Sequence, residues 1–80
     1  MSKKYEWTPV EEMDLDDGTH TCYSSRDTRG NIIWLTEISN DTWDVEMAAP
    51  DAERYQENRI ITLVNCKTLT SAKRWAARYI

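Results

Sequence analysis

Phenylalanine is absent from this 80-residue chain; glycine, proline and cysteine occur twice each and histidine once. Each shortage excludes something. Two isolated glycines, Gly18 and Gly30, cannot build a phosphate-cradling loop or a dinucleotide-binding turn, which need glycines closely spaced ahead of a helix. A single histidine without a G-x-S-x-G turn leaves no nucleophile–base arrangement to recognise. No apolar run approaches the roughly 20 residues of a membrane-crossing helix. The N-terminal "MSKKYEWTPV" carries basic residues with no apolar stretch behind them, unlike a signal peptide. The expectation is a soluble, cytoplasmic protein without a membrane partner.

Cys22 and Cys66 read as reduced thiols in or near strands, since nothing else in the sequence indicates an oxidising compartment. His20 and Cys22 stand in H-x-C spacing with Cys66 far downstream, which is too little for a zinc site. No metal, no cofactor and no enzymatic activity are expected. General acid–base chemistry needs a pocket that shifts pKa values, and a chain this short rarely encloses one.

What is present is aromatic and acidic. Four tryptophans and four tyrosines carry most of the apolar burial. Length indicates one domain over residues 1–80, with 1–7 as a tail outside the fold. Charge is divided along the chain. Residues 1–52 hold twelve acids against four bases, whereas residues 53–80 hold six bases against two acids. Such a division suggests two electrostatic faces and argues against simple nucleic-acid binding, whose affinity comes from clustered Lys and Arg.

Local patterns suggest the elements. "WTPVEEMDLDDG" offers Thr8 as an N-cap, Pro9 at the first helical position and Glu11 completing a capping box, so a short helix over 8–17 competes with an acidic tail. "THTCYS" (19–24) reads as a strand, followed by a turn at "RDTRG". "NIIWLTEIS" (31–39) and "TWDVEM" (42–47) flank Asn40-Asp41, a pair suited to a tight hairpin. Closing that hairpin puts Ser39 opposite Thr42, Ile38 opposite Trp43, Thr36 opposite Val45 and Trp34 opposite Met47. Ile32, Trp34, Ile38, Trp43, Val45 and Met47 then share one face, and Glu37, Asp44 and Glu46 the other.

Downstream, Pro50 breaks the strand, and residues 48–58 form a loop or a single helical turn. "RIITLVN" (59–65) is apolar on both faces and reads as an interior strand. In "KTLTSAKRWAARYI" Thr68 is an N-cap, and Leu69, Ala72, Trp75, Ala76 and Tyr79 recur at helical spacing as a core-facing stripe. The expected fold is α+β: a three- to four-stranded antiparallel sheet packed on a C-terminal amphipathic helix, with or without a short N-terminal helix.

Two surfaces are candidates for function. Glu11, Glu12, Asp14, Asp16 and Asp17, interleaved with Val10, Met13 and Leu15 and extended by Asp44 and Glu46, could meet a basic, partly apolar groove on a partner protein. Alternatively they are a solvated segment. Lys67, Lys73, Arg74 and Arg78 are the alternative, a basic helix surface for nucleic acid.

Strands followed by a helix beginning T-L-x-x-A-K-x-W-A resemble small phage and mobile-element proteins, including phage inhibitors of host enzymes and the arm-type DNA-binding domains of integrases. The segment is also similar to the last helix of double-stranded-RNA-binding domains, where Ala72-Lys73, with Lys67 and Arg74, would stand at the helix start. The resemblance implies an inhibitor of a host nucleic-acid-handling or defence complex. Together with the acidic balance it favours a small non-enzymatic protein-binding module, whose partner would present a basic surface. A nucleic-acid-binding domain is the alternative, and a purely structural accessory subunit is a third reading.

Overall fold

Ile32 to Thr36, five consecutive residues buried on both sides, form the spine of the structure. A strand can bury every residue only if both faces of its sheet are covered, and the rest of the chain supplies the two covers. The computed structural model describes residues 6–39 and 42–79. Among these, β1 (Thr8–Pro9), a 3-10 turn (Glu11–Met13), β2 (Cys22–Arg26), β3 (Ile32–Ser39), β4 (Thr42–Ala48), a second 3-10 turn (Glu57–Arg59), β5 (Ile60–Cys66) and α1 (Leu69–Tyr79) follow in order. The strands make one antiparallel meander, β1-β2-β3-β4-β5. The α+β class therefore holds, with five strands where three or four were expected.

The first cover is α1. Thr68 caps it, its hydroxyl accepting the Ser71 N–H at 3.0 Å. Ala72 and Ala76 are fully buried, and their small side chains let the helix lie close on Ile33, Leu35, Trp43 and Val45. Leu69 and Trp75 pack beside them, as does Trp7, so the N-terminal tail expected over 1–7 joins this core at its last residue. Residues 1–5, the Asn40-Asp41 turn, Ile80 and the side chain of Tyr79 lie outside the described residues.

The second cover is irregular. The segment from Val10 to Leu15 and the loop from Ala49 to Arg59 lie over Cys22, Ile32, Trp34 and Ala48, with Val10, Met13, Ala52 and Ile60 in contact. This cover corrects three expectations. Thr8 and Pro9 do not start a helix: they pair with Ser24 and Tyr23, and Val10 N–H donates to the Cys22 carbonyl at 2.9 Å. Proline is tolerated there because β1 is an edge strand. Only Glu11–Met13 turns helically, for three residues. The first long strand runs from Cys22 to Arg26, not from Thr19 to Ser24, because Leu15 to Thr19 close a loop in which Gly18 adopts a φ of 86°.

The hairpin register is also corrected. Ser39 does face Thr42, but Glu37 faces Trp43, Leu35 faces Val45, Trp34 faces Glu46 and Ile33 faces Met47. Ile38 is squeezed out in a bulge and stands 58% exposed. That single extra residue turns Ile32, Trp34 and Thr36 to the face of Asp44 and Glu46, and leaves Ile33 and Leu35 with Trp43 and Val45. Finally, β5 is an edge strand and not an interior one.

Candidate functional site

Trp34 and Glu46, cross-strand neighbours on the irregularly covered face, anchor a polar cluster beneath the 49–59 loop. Arg54 descends from that loop. Its guanidinium reaches the Glu46 carboxylate at 2.9 Å, donates to the Thr36 hydroxyl at 3.2 Å, and lies 5.0 Å from the Trp34 ring centroid. The Thr36 hydroxyl donates its one hydrogen bond to Glu46 Oε1 at 2.7 Å. The buried Cys22 thiol, 3.4 Å from the Thr36 oxygen, is then left as the donor of that contact. Burial pushes the Cys22 pKa up and keeps it a thiol, against the opposing pull of the Thr36 bond and the Arg54 charge. Cys22, Thr36, Glu46 and Arg54 thus each have a partner within the cluster.

Beside this pinned loop opens a cleft of about 1270 Å³. Its floor is β2 and β3 (Ser24, Ser25, Arg26, Ile32 and the edge of Trp34). One wall is the N-terminal segment with Glu6, Pro9, Glu11 and Glu12; the other is the loop with Pro50, Asp51, Ala52 and Glu53. The wall charges are acidic, and most are free. Glu6, Glu11, Glu12 and Glu53 are exposed and form no ion pair among the described residues. Asp51 alone is engaged, by Arg59 at 2.7 Å, and that hydrogen bond and charge hold its pKa below the ordinary value. Of the two basic residues at the base, Arg54 is held by Glu46, whereas Arg26 is exposed, donates to the carbonyls of Gly30 and Pro50 and forms no ion pair among the described residues. The cleft therefore presents four unpaired glutamates on its walls against the single uncompensated charge of Arg26 at its base, across a partly apolar floor.

The sequence-predicted acidic set is divided by the fold. Glu11 and Glu12 stand on the cleft wall. Asp14 is half-buried and meets His20 Nδ1 at 3.0 Å, with its other oxygen unpartnered. Asp16 is exposed in the Leu15–Thr19 loop, where Asp17 accepts the Thr19 N–H; the Thr19 side chain first and that N–H second lower the Asp17 pKa. Asp44 accepts from the Asn65 amide at 2.8 Å. Glu46 is buried in the cluster, so it does not extend an outward acidic surface. Sequence reading missed Glu6, Asp51 and Glu53 on the cleft walls. The only signal for the latter two was their place after Pro50 in a stretch rich in acids, and some forty residues separate them from Glu11 and Glu12.

The basic set is divided as well. Lys67, Arg74 and Arg78 are exposed, while Lys73 is turned inward with its ammonium 5.2 Å from the Tyr23 ring centroid. His20 packs edge-on against Tyr23, whose other neighbour is Trp43. The two cysteines are free, and among the described residues no group of three or more His, Cys, Asp and Glu is placed to hold a metal ion. Among the described residues no helix is long and apolar enough to cross a membrane. The chain matches no family model, no curated protein and no solved structure.

Proposed function

We propose that this chain is a non-catalytic protein-binding module whose acid-walled cleft receives a basic, extended segment of a partner protein. The observation that supports this reading is the set of four exposed, unpaired glutamates, Glu6, Glu11, Glu12 and Glu53, on the two walls of one open cleft. An arginine or lysine entering between them gains attraction from both sides, and its aliphatic stem can lie on Ile32 and the two prolines. Basic segments of this kind are characteristic of proteins that handle nucleic acid, which makes such a protein or complex the partner class.

The test uses a fluorescein-labelled peptide of alternating lysine, arginine and serine, followed by anisotropy at several salt concentrations. Binding at low salt that weakens steeply as salt rises is expected, with Glu11→Gln, Glu12→Gln and Glu53→Gln each weakening it further. Asp16→Asn and Asp17→Asn, away from the cleft, should have little effect. Equal losses from both groups would mean that net charge and not the cleft attracts the peptide. Tight binding of a single-stranded oligonucleotide, lost on Arg74→Ala and Arg78→Ala, would replace this reading with nucleic-acid binding through α1.

A further inference from the structure

The opposite edge of the sheet from the cleft belongs to β5. Among the described residues this strand pairs only with β4, so its outer N–H and C=O groups face solvent. Edge strands usually carry devices against self-pairing, chiefly lysine, proline or an inward-pointing charge. Ile60-Ile61-Thr62-Leu63-Val64-Asn65-Cys66 has none of these and no charged residue at all. Ile61, 66% exposed, adds a large apolar side chain beside the open edge. The nearest charges flank the strand: Arg59, already paired with Asp51, and Lys67.

The bulge in β5 gives the strand a specific symmetry. Val45 faces Val64 and Glu46 faces Thr62, so Leu63 is the extra residue. Ile61 and Cys66, paired with Met47 and Trp43, lie on the helix side of the sheet; Thr62 and Asn65, paired with Glu46 and Asp44, lie on the other side. Residues opposite one another in a ladder must share a face. A two-fold axis between Leu63 and Val64 meets that condition at every pair. It sets Ile61 against Cys66 of the second copy, Thr62 against Asn65, and Leu63 against Val64, then repeats the three in reverse. Apolar side chains meet apolar ones, the hydroxyl of Thr62 meets the amide of Asn65, and no like charges face each other within the strand.

We infer that β5 is a homodimerisation edge, through which two copies join their sheets antiparallel in this register. The exposed Ile61 of each copy is then covered near Cys66 of the other. The bulge interrupts the ladder in mid-strand and weakens the pairing, so association in the micromolar range is expected, with monomers dominating in dilute solution.

Native Cys66 makes the register testable. Opposed residues in an antiparallel ladder lie about 4.5–5.5 Å apart at Cα, within disulfide reach. Within one chain, positions 61 and 66 are roughly 17 Å apart along the strand and cannot be bridged. Under mild oxidation Ile61→Cys should therefore give a covalent dimer, while the unmodified chain and the Ile61→Cys, Cys66→Ser double variant should not. Sedimentation of the unmodified chain should show its mass doubling as concentration rises. Thr62→Lys with Asn65→Lys should abolish the doubling and leave the unfolding midpoint nearly unchanged, because both side chains are exposed and the ammonium introduced by Asn65→Lys can replace the amide that Asp44 accepts. A single-chain mass at every concentration, or a dimer that survives the two lysines, would overturn the proposal. Cross-linking of the unmodified chain through Cys66 alone would reject the register.

Discussion

The Arg54 guanidinium and the Glu46 carboxylate meet at 2.9 Å beneath the loop that forms one wall of the cleft. Both side chains are largely withdrawn from water, 21% and 11% exposed, so each neutralises a charge the other could not leave there alone. Their pairing fixes the height of the wall that carries Asp51 and Glu53.

Removing one partner should be costly. Glu46→Ala leaves Arg54 buried without its counter-charge and should lower stability by about 3–5 kcal/mol in chemical denaturation. Glu46→Leu combined with Arg54→Met removes both charges and should restore most of that loss. A double variant as unstable as Glu46→Ala would show that the pair contributes through something other than charge compensation.

The bulge at Ile38 separates two residues the sequence places together. Trp43→Ala empties a site between Tyr23, Cys66 and α1 and should cost about 3–5 kcal/mol. Ile38→Ala, at an exposed position, should cost about 0.5 kcal/mol or less. Equal unfolding midpoints for the two variants would contradict the register described here.

These residues also show where sequence reasoning succeeded and where it stopped. The C-terminal helix was legible from its cap to Ala76, because Thr68 and the Leu69, Ala72, Trp75 and Ala76 stripe are local signals that a single buried face enforces. Strands β3 and β4 were legible as strands, but not their pairing. Ile32 to Thr36 is buried on both sides, so alternation carries no information there, and one bulged residue reverses the assignment of faces. Thr8-Pro9 carries a helix-start pattern that was overridden by pairing with β2, a contact between distant residues. The same distance hides the cleft. Glu11 and Glu12 could be suspected from local acidity, whereas nothing local brings Glu53 opposite them.

The two thiols should differ in reactivity. Burial raises the pKa of both, with the Asp44 charge adding to the effect at Cys66, so neither is expected to be a fast nucleophile at neutral pH. Cys22 is fully buried and Cys66 partly exposed. Alkylation of the native protein, followed by mass spectrometry, should modify Cys66 slowly and Cys22 only on unfolding. Modification of Cys22 at the faster rate would mean that the 49–59 loop opens readily.

Acid should weaken the β2–β3 turn through Asp27. Burial acts to raise its pKa, but the Arg29 and Asn31 N–H groups and the Asn31 amide bond the carboxylate and leave it below the ordinary value. A depressed folded-state pKa means that the stabilisation is complete above the unfolded value, about 3.9, and is lost as pH falls through the lower folded one. Asp27→Asn should therefore unfold earlier than the parent at neutral pH, and the difference should shrink in acid below the ordinary carboxylate range. A gap that stays constant down to strong acid would exclude this role for the carboxylate.

The meander also dictates an order of assembly. Each strand from β2 to β5 pairs with the strand just before it, so the sheet can close by successive hairpins as the chain lengthens, and closure entropy grows only slowly with the length of each connection. The helix is different. Ile33, Leu35 and Val45 are in place once β3 and β4 have paired, yet Ala72 and Ala76, which cover them, come from α1, which follows all five strands in sequence. During synthesis one face of the sheet therefore stays bare, together with the uncharged edge of β5, until α1 has followed the five strands out. That interval is when the growing chain is most exposed to wrong partners, and a released chain truncated before residue 69 would display the same bare face.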